Sequence, residues 1–147
     1  MYLEPTQDSG RALVERRITG PVSMLNMLRF REVADYSSHP ELAPPTPISG
    51  REAYDRYVVE ATPHVTAAGS EVTFLGDGGR YLIGPQDDRW DLVMLVRHQS
   101  VEAFFAMAQN DAYLAVLGHR TAALADSRLL PIVEHSWSDR RPTTDHR

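Results

Sequence analysis

The sequence predicts one α+β domain with the element order β-α-β-β-α-β, preceded by a short extra helix. Three observations carry this. Val22 to Phe30 and Leu92 to Val96 are apolar on both alternating faces, the pattern of strands covered on two sides. The stretches after Ser49 and after Ser100 carry apolar residues at helical three-and-four spacing. Pro131 sits in the last extended run, where it cannot donate to a ladder on both sides and so marks a sheet edge or a bulge. The chain has 147 residues, 42% of them apolar and 24% charged, which suits one globular domain. At that size folding hides roughly 70% of the surface the unfolded chain exposes.

The elements follow in order. Thr6 to Arg17 reads as a helix with Leu13 and Val14 on a narrow apolar face, ended by Gly20-Pro21. Residues 1–20 thus form an arm, and residues 21–136 form the domain proper. Val22 to Phe30 is the first strand, interrupted only by Ser23, Asn26 and Arg29. Arg31 to Ile48 contains Pro40, Pro44, Pro45 and Pro47 and no periodic apolar face, so it is expected to be mobile or to act as a cover. Ser49 and Glu52 have capping-box spacing and open a helix whose buried face holds Ala53, Tyr54, Tyr57, Val58, Ala61, Val65 and Ala68. Arg51 with Asp55, and Arg56 with Glu60, suit its exposed side. Pro63 is expected to kink or end its regular part, and Gly69 to cap it.

Glu71 to Leu75 reads as a strand, residues 76–79 as a glycine turn and Arg80 to Ile83 as a short extended piece. Asp91 to His98 is the third long strand. Ser100 caps a helix through Met107, Asn110-Asp111 restarts it through Leu124, and Arg128 to Glu134 forms the last strand. Residues 137–147 are a polar tail without periodicity, expected to fray. This order is that of a ferredoxin-like sandwich, in which the first and third strands are central and the fourth is an edge. One helical layer covers only one sheet face, while both faces of the central strands are apolar. A homodimer through the other face is therefore expected.

Composition removes several classes of function. The chain has no cysteine, which excludes disulfides, thiolate metal sites and a cysteine nucleophile. All 15 basic residues are arginine, so no lysine can form a Schiff base. A net charge of −5 gives no broad basic surface, and neither nucleic acid nor a membrane is expected as a partner. No apolar run approaches the ~20 residues of a spanning helix, and the first residues lack a secretory pattern, so a soluble cytoplasmic protein is expected. The six histidines never fall at metal-ligand spacing, and neither a metal nor another cofactor is expected.

What remains is a set of polar groups inside apolar elements, each costly to bury unpaired. Asn26, Tyr57 and His119 are the candidate catalytic residues, expected to meet where the first strand and the two long helices converge. Arg29, Tyr54, Arg97 and His98 are the candidate substrate-binding residues. Gly118, next to His119, is expected to let another segment or a ligand approach the helix backbone.

Several ordered stretches resemble a known family: Asn26-Met-Leu-Arg-Phe30, Gly50-Arg-Glu-Ala-Tyr54 with Tyr57, Asp91-Leu-Val-Met-Leu-Val-Arg97, Ser100-Val-Glu-Ala-Phe104, and the run from His119 to Arg128. The chain resembles the bacterial domain-of-unknown-function 1330 family over most of Pro21 to Pro131. The resemblance implies a dimeric α/β barrel and no particular activity. The wider superfamily includes cofactor-free monooxygenases, lactone isomerases, stress proteins and haem-degrading enzymes. The last of these pair a strand asparagine with a tryptophan and a helix histidine. Asn26, Trp90 and His119 supply those residue types without the spacing. Two functional readings follow. One is a cofactor-independent enzyme acting on a small aromatic, lactone or carbonyl-bearing substrate, and the other is a non-catalytic homodimer that binds a metabolite or scaffolds.

Overall fold

The structure, a computed structural model, describes residues 1–139, so the expected tail lies outside the described residues from position 140 onward. The elements are α1 (Gln7–Glu15), β1 (Val22–Phe30), α2 (Gly50–Ala67), β2 (Glu71–Arg80), β3 (Arg89–His98), α3 (Val101–Ala108), α4 (Asp111–Ala123) and β4 (Leu124–Ile132). The four strands form one antiparallel sheet in the order β2-β3-β1-β4. This is the ferredoxin-like arrangement. β1 and β3 are central, and Pro131 lies on the edge strand β4 opposite Met24.

β1 alternates strictly. Val22, Met24, Asn26, Leu28 and Phe30 are buried, while Ser23, Leu25, Met27 and Arg29 are half-buried on the opposite face. The buried set anchors two cores. Leu28 and Phe30 pack with Met94 of β3, Ala53 and Tyr54 of α2, and Ala122 and Ala123 of α4. Val22 and Met24 pack with Leu13 of α1 and Val101 of α3. Val22, Leu28 and Leu124 are wholly excluded from water, and each such side chain stabilises the fold by roughly 1.5–3 kcal/mol. All the helices that contribute to these cores therefore lie on one side of the sheet. On the other side Leu25 stands opposite Leu95 and Leu130, Met27 opposite Val93, and Phe74 opposite Leu95.

The helix starts follow the sequence. Ser49 and Glu52 form a reciprocal capping box at α2, and Ser100 and Asn110 cap α3 and α4 through their side chains. Gly69 lies just beyond α2 at φ +72°. Pro63 does not end α2, which continues helically to Ala67. Three strand boundaries depart from expectation. β2 runs unbroken to Arg80, so residues 76–79 are strand and not a turn, and the reversal falls at residues 81–88. The reason is close approach: a Cβ on Gly78 would strike the Trp90 carbonyl oxygen of β3, so glycine here serves the ladder. β4 begins directly from α4 at Leu124, because Asp126, Ser127 and Arg128 pair with Arg29, Leu28 and Met27 of β1. β3 likewise begins earlier than expected, at Arg89.

The corner between α2 and β2 is tied to the end of β3. The Ser70 hydroxyl lies 2.7 Å from Nδ1 of His98, and the His98 ring meets Phe104 edge-on at 5.0 Å. Burial makes the His98 ring harder to protonate than usual. Below the ordinary histidine pKa of 6.5 the unfolded chain thus binds a proton that the folded chain refuses. Stability is expected to fall as pH drops through about 6.5, and His98→Gln is expected to flatten that part of the profile. Urea unfolding at a series of pH values measures both.

Candidate functional site

α4 carries a histidine on the face that packs along α2. His119 is buried, and both its ring nitrogens are taken. Nε2 lies 2.6 Å from a carboxylate oxygen of Glu60 on α2, and Nδ1 lies 2.7 Å from the Tyr36 hydroxyl. A carboxylate can only accept, so Nε2 carries the hydrogen. In the neutral ring Nδ1 then accepts from Tyr36. Burial, aided by the nearby Glu60 charge and opposed by Arg56, pushes the Tyr36 phenol above its usual range, which keeps it a donor. Glu60 is half-exposed. With Asp55, Arg56, Val59 and His119 it lines an open cleft of about 340 Å³.

Tyr36 arrives from the long connection. That segment is packed on the domain: Arg31 N–H donates to Ala123 O and Asp35 N–H donates to Ala122 O, both at the end of α4. Gly118 is where it comes closest. A Cβ there would lie 2.7 Å from the His39 ring and from Leu42 Cδ1. The close approach expected at Gly118 is made by the protein's own chain.

The sequence-predicted residues fall into separate neighbourhoods. Asn26 is buried on the helix-facing side of β1, and its amide donates to Met24 O at 3.1 Å. The Tyr57 hydroxyl lies 2.7 Å from that of Tyr113, and burial followed by the Tyr113 contact pushes its pKa far up. Tyr54 packs between Phe30 at 5.5 Å and Tyr57 at 5.3 Å with its ring tilted to both, and burial raises its pKa too. His98 serves the corner described above. Arg97 is exposed opposite Ser23 and Glu71. Arg29 lies on the sheet face away from the helices, paired with Asp88 and placed 4.6 Å over the Trp90 ring. Of the three catalytic candidates, only His119 lines the cleft. Nor do Asn26, Trp90 and His119 form one constellation, because the Trp90 indole donates to the Tyr81 hydroxyl and its ring lies between Arg29 and Arg128.

Two members of this site were not singled out by sequence. Glu60 reads as the exposed partner of Arg56, yet it reaches His119. Arg51, read with Asp55, instead pairs with Asp77 at 3.8 Å. Tyr36 lies in a segment without periodicity, and no local signal marks it. The packing at Gly118 predicts that Gly118→Ala lifts the connection from α4. The overpacking is expected to cost about 1–3 kcal/mol, partly offset by alanine's helix preference of roughly 0.8–1 kcal/mol. Faster limited proteolysis between residues 31 and 48 than in the unsubstituted chain would register it.

No protein-family model matches the chain, and no curated protein matches it. Among solved structures it is similar to the methylated RPA0582 protein, at 31% identity and a TM-score of 0.80 over 94% of this chain and 98% of that one. It is also similar to RPA0582 described as a protein of unknown function from Rhodopseudomonas palustris, at 33% identity and a TM-score of 0.75 over 90% of this chain and 96% of that one. A more distant likeness, at 12% identity and a TM-score of 0.46 over 78% of this chain and 92% of the other, is to a dimeric ferredoxin-like protein of unknown function from Thermobifida fusca YX. With that level of identity over nearly its whole length, the chain belongs to the family of the RPA0582 protein of Rhodopseudomonas palustris.

Proposed function

We propose that this protein is a homodimeric, cofactor-independent acid–base catalyst acting on a small organic carbonyl compound in the cytoplasm. The observation that carries this reading is the half-exposed Glu60 carboxylate, fixed on a cleft wall by a buried histidine that a tyrosine holds in turn. In this reading one Glu60 oxygen stays on His119 Nε2–H and the other faces the cleft. Glu60 takes the proton next to the substrate carbonyl, the electron pair moves onto the carbonyl oxygen, and the proton is later returned. Arg56, which has no ion pair among the described residues, stabilises the developing negative charge. His119 and Tyr36 act as positioning residues.

The dimer reading rests on the sheet face away from the helices, where Leu25, Met27, Val93 and Leu95 are flanked by the exposed Phe74 and Leu130. The ordered motifs quoted above support placing the chain beside the domain-of-unknown-function 1330 family. A chain without cysteine and without a long apolar helix among its described residues suits the cytoplasm. The second reading, a metabolite-binding or scaffold protein, draws on one observation: both His119 nitrogens are already satisfied, so the trio also works as a latch holding the connection.

Proton NMR in deuterium oxide separates the two. Small keto acids, lactones and aryl ketones are expected to gain deuterium next to the carbonyl in the presence of the protein. Glu60→Gln is expected to slow this by about 10²–10⁴-fold while leaving the fold intact. A thermal shift with one of these compounds, without any exchange, would instead favour the binding protein.

A further inference from the structure

The reversal between β2 and β3 exposes two aliphatic side chains almost completely: Leu82 is 97% and Ile83 is 92% accessible. The loop beneath them is built. Trp90 Nε1 donates to the Tyr81 hydroxyl at 2.6 Å, Gln86 Nε2 donates to Tyr81 O at 2.8 Å, and the Arg80 guanidinium donates to Gln86 O. Asp88 N–H closes the turn onto Pro85 O at 3.2 Å, and Arg29 holds the Asp88 carboxylate, which fastens the loop to β1. The ordering entropy of this tip is therefore met before anything docks on it.

We propose that Leu82 and Ile83 form an arm that docks on a second copy of this chain and clamps the paired sheets. The inference rests on the homodimer reading above. The arm leaves the sheet from β2 and β3, and both strands contribute to the uncovered apolar face through Phe74, Val93 and Leu95, so a second copy that covers the full length of that face reaches the tip. Area points the same way: a stable pair buries about 800 Å² of accessible surface on each partner, and Leu82 and Ile83, both almost fully exposed, add roughly 60–120 Å² each to what the sheet face supplies. A second copy has the same arm, so a two-fold pair gains the contact twice.

Sedimentation velocity across a dilution series tests this with three full-length chains: unsubstituted, Leu82→Asp with Ile83→Asp, and Leu25→Asp on the sheet face. Neither Leu82 nor Ile83 is buried within its own chain, so the double variant is expected to keep the circular dichroism spectrum of the parent. Its dimer is expected to dissociate at least about 100-fold more readily. If Leu25→Asp weakens the dimer and the double variant does not, the arm is refuted while the homodimer stands, and the tip then serves a different partner or none. A parent chain that stays monomeric up to ~100 μM overturns the homodimer reading, and the arm with it.

Discussion

The fold depends on β1 being hydrogen-bonded along both edges while alternate residues face different surroundings. Its helix-facing residues, Val22 to Phe30 at every second position, hold both hydrophobic cores, so α1 and α3 are fixed at one end of the strand and α2 and α4 at the other. A slip of one residue would carry Leu28 and Phe30 to the opposite face and bring Arg29 under the helices. An unpaired guanidinium there is far costlier than any gain from Leu25 or Met27. The register with β3 and β4 is specified by this alternation, and the remaining elements have little freedom once it is set.

Much of this was legible in the sequence because the signals are local. The apolar runs of β1 and β3, the Ser49–Glu52 capping box and the edge position of Pro131 each follow from a few adjacent residues. The boundaries of β2 and β4 were not. Gly76 to Gly79 has turn composition, and it is its pairing with Val93, Leu92 and Trp90 of another strand that makes it extended. The same holds for the candidate site. His119 stands out as a polar residue on an apolar helix, but Glu60 sits at ion-pair spacing from Arg56 and Tyr36 in a stretch without pattern. Their convergence spans 59 and 83 positions of sequence respectively, a tertiary fact that no window along the chain contains.

Most of the polar side chains buried in this protein are paired in small sets, Arg31 Nε being an exception without a hydrogen-bond partner. Ser70 with His98, Tyr57 with Tyr113 and Tyr36 with His119 and Glu60 each satisfy one another without an extended network. The sets differ in contact with solvent. The first two are enclosed, and burial drives His98 and Tyr57 toward their uncharged forms, as a structural role requires. The third ends in a carboxylate half-open to water.

The connection from Arg31 to Ile48 has a temporal consequence as well as a spatial one. Tyr36 can bond only to a histidine that α4 has already delivered beside α2, and Asp35 can bond only to the carbonyl of Ala122 at the finished end of α4. These contacts close long loops, whose entropic cost is met only after the sheet and helices are assembled. The segment is therefore expected to settle late in folding. Contacts formed that late slow unfolding more than they speed folding, so the proline-containing connection is expected to act on the lifetime of the native state more than on its formation.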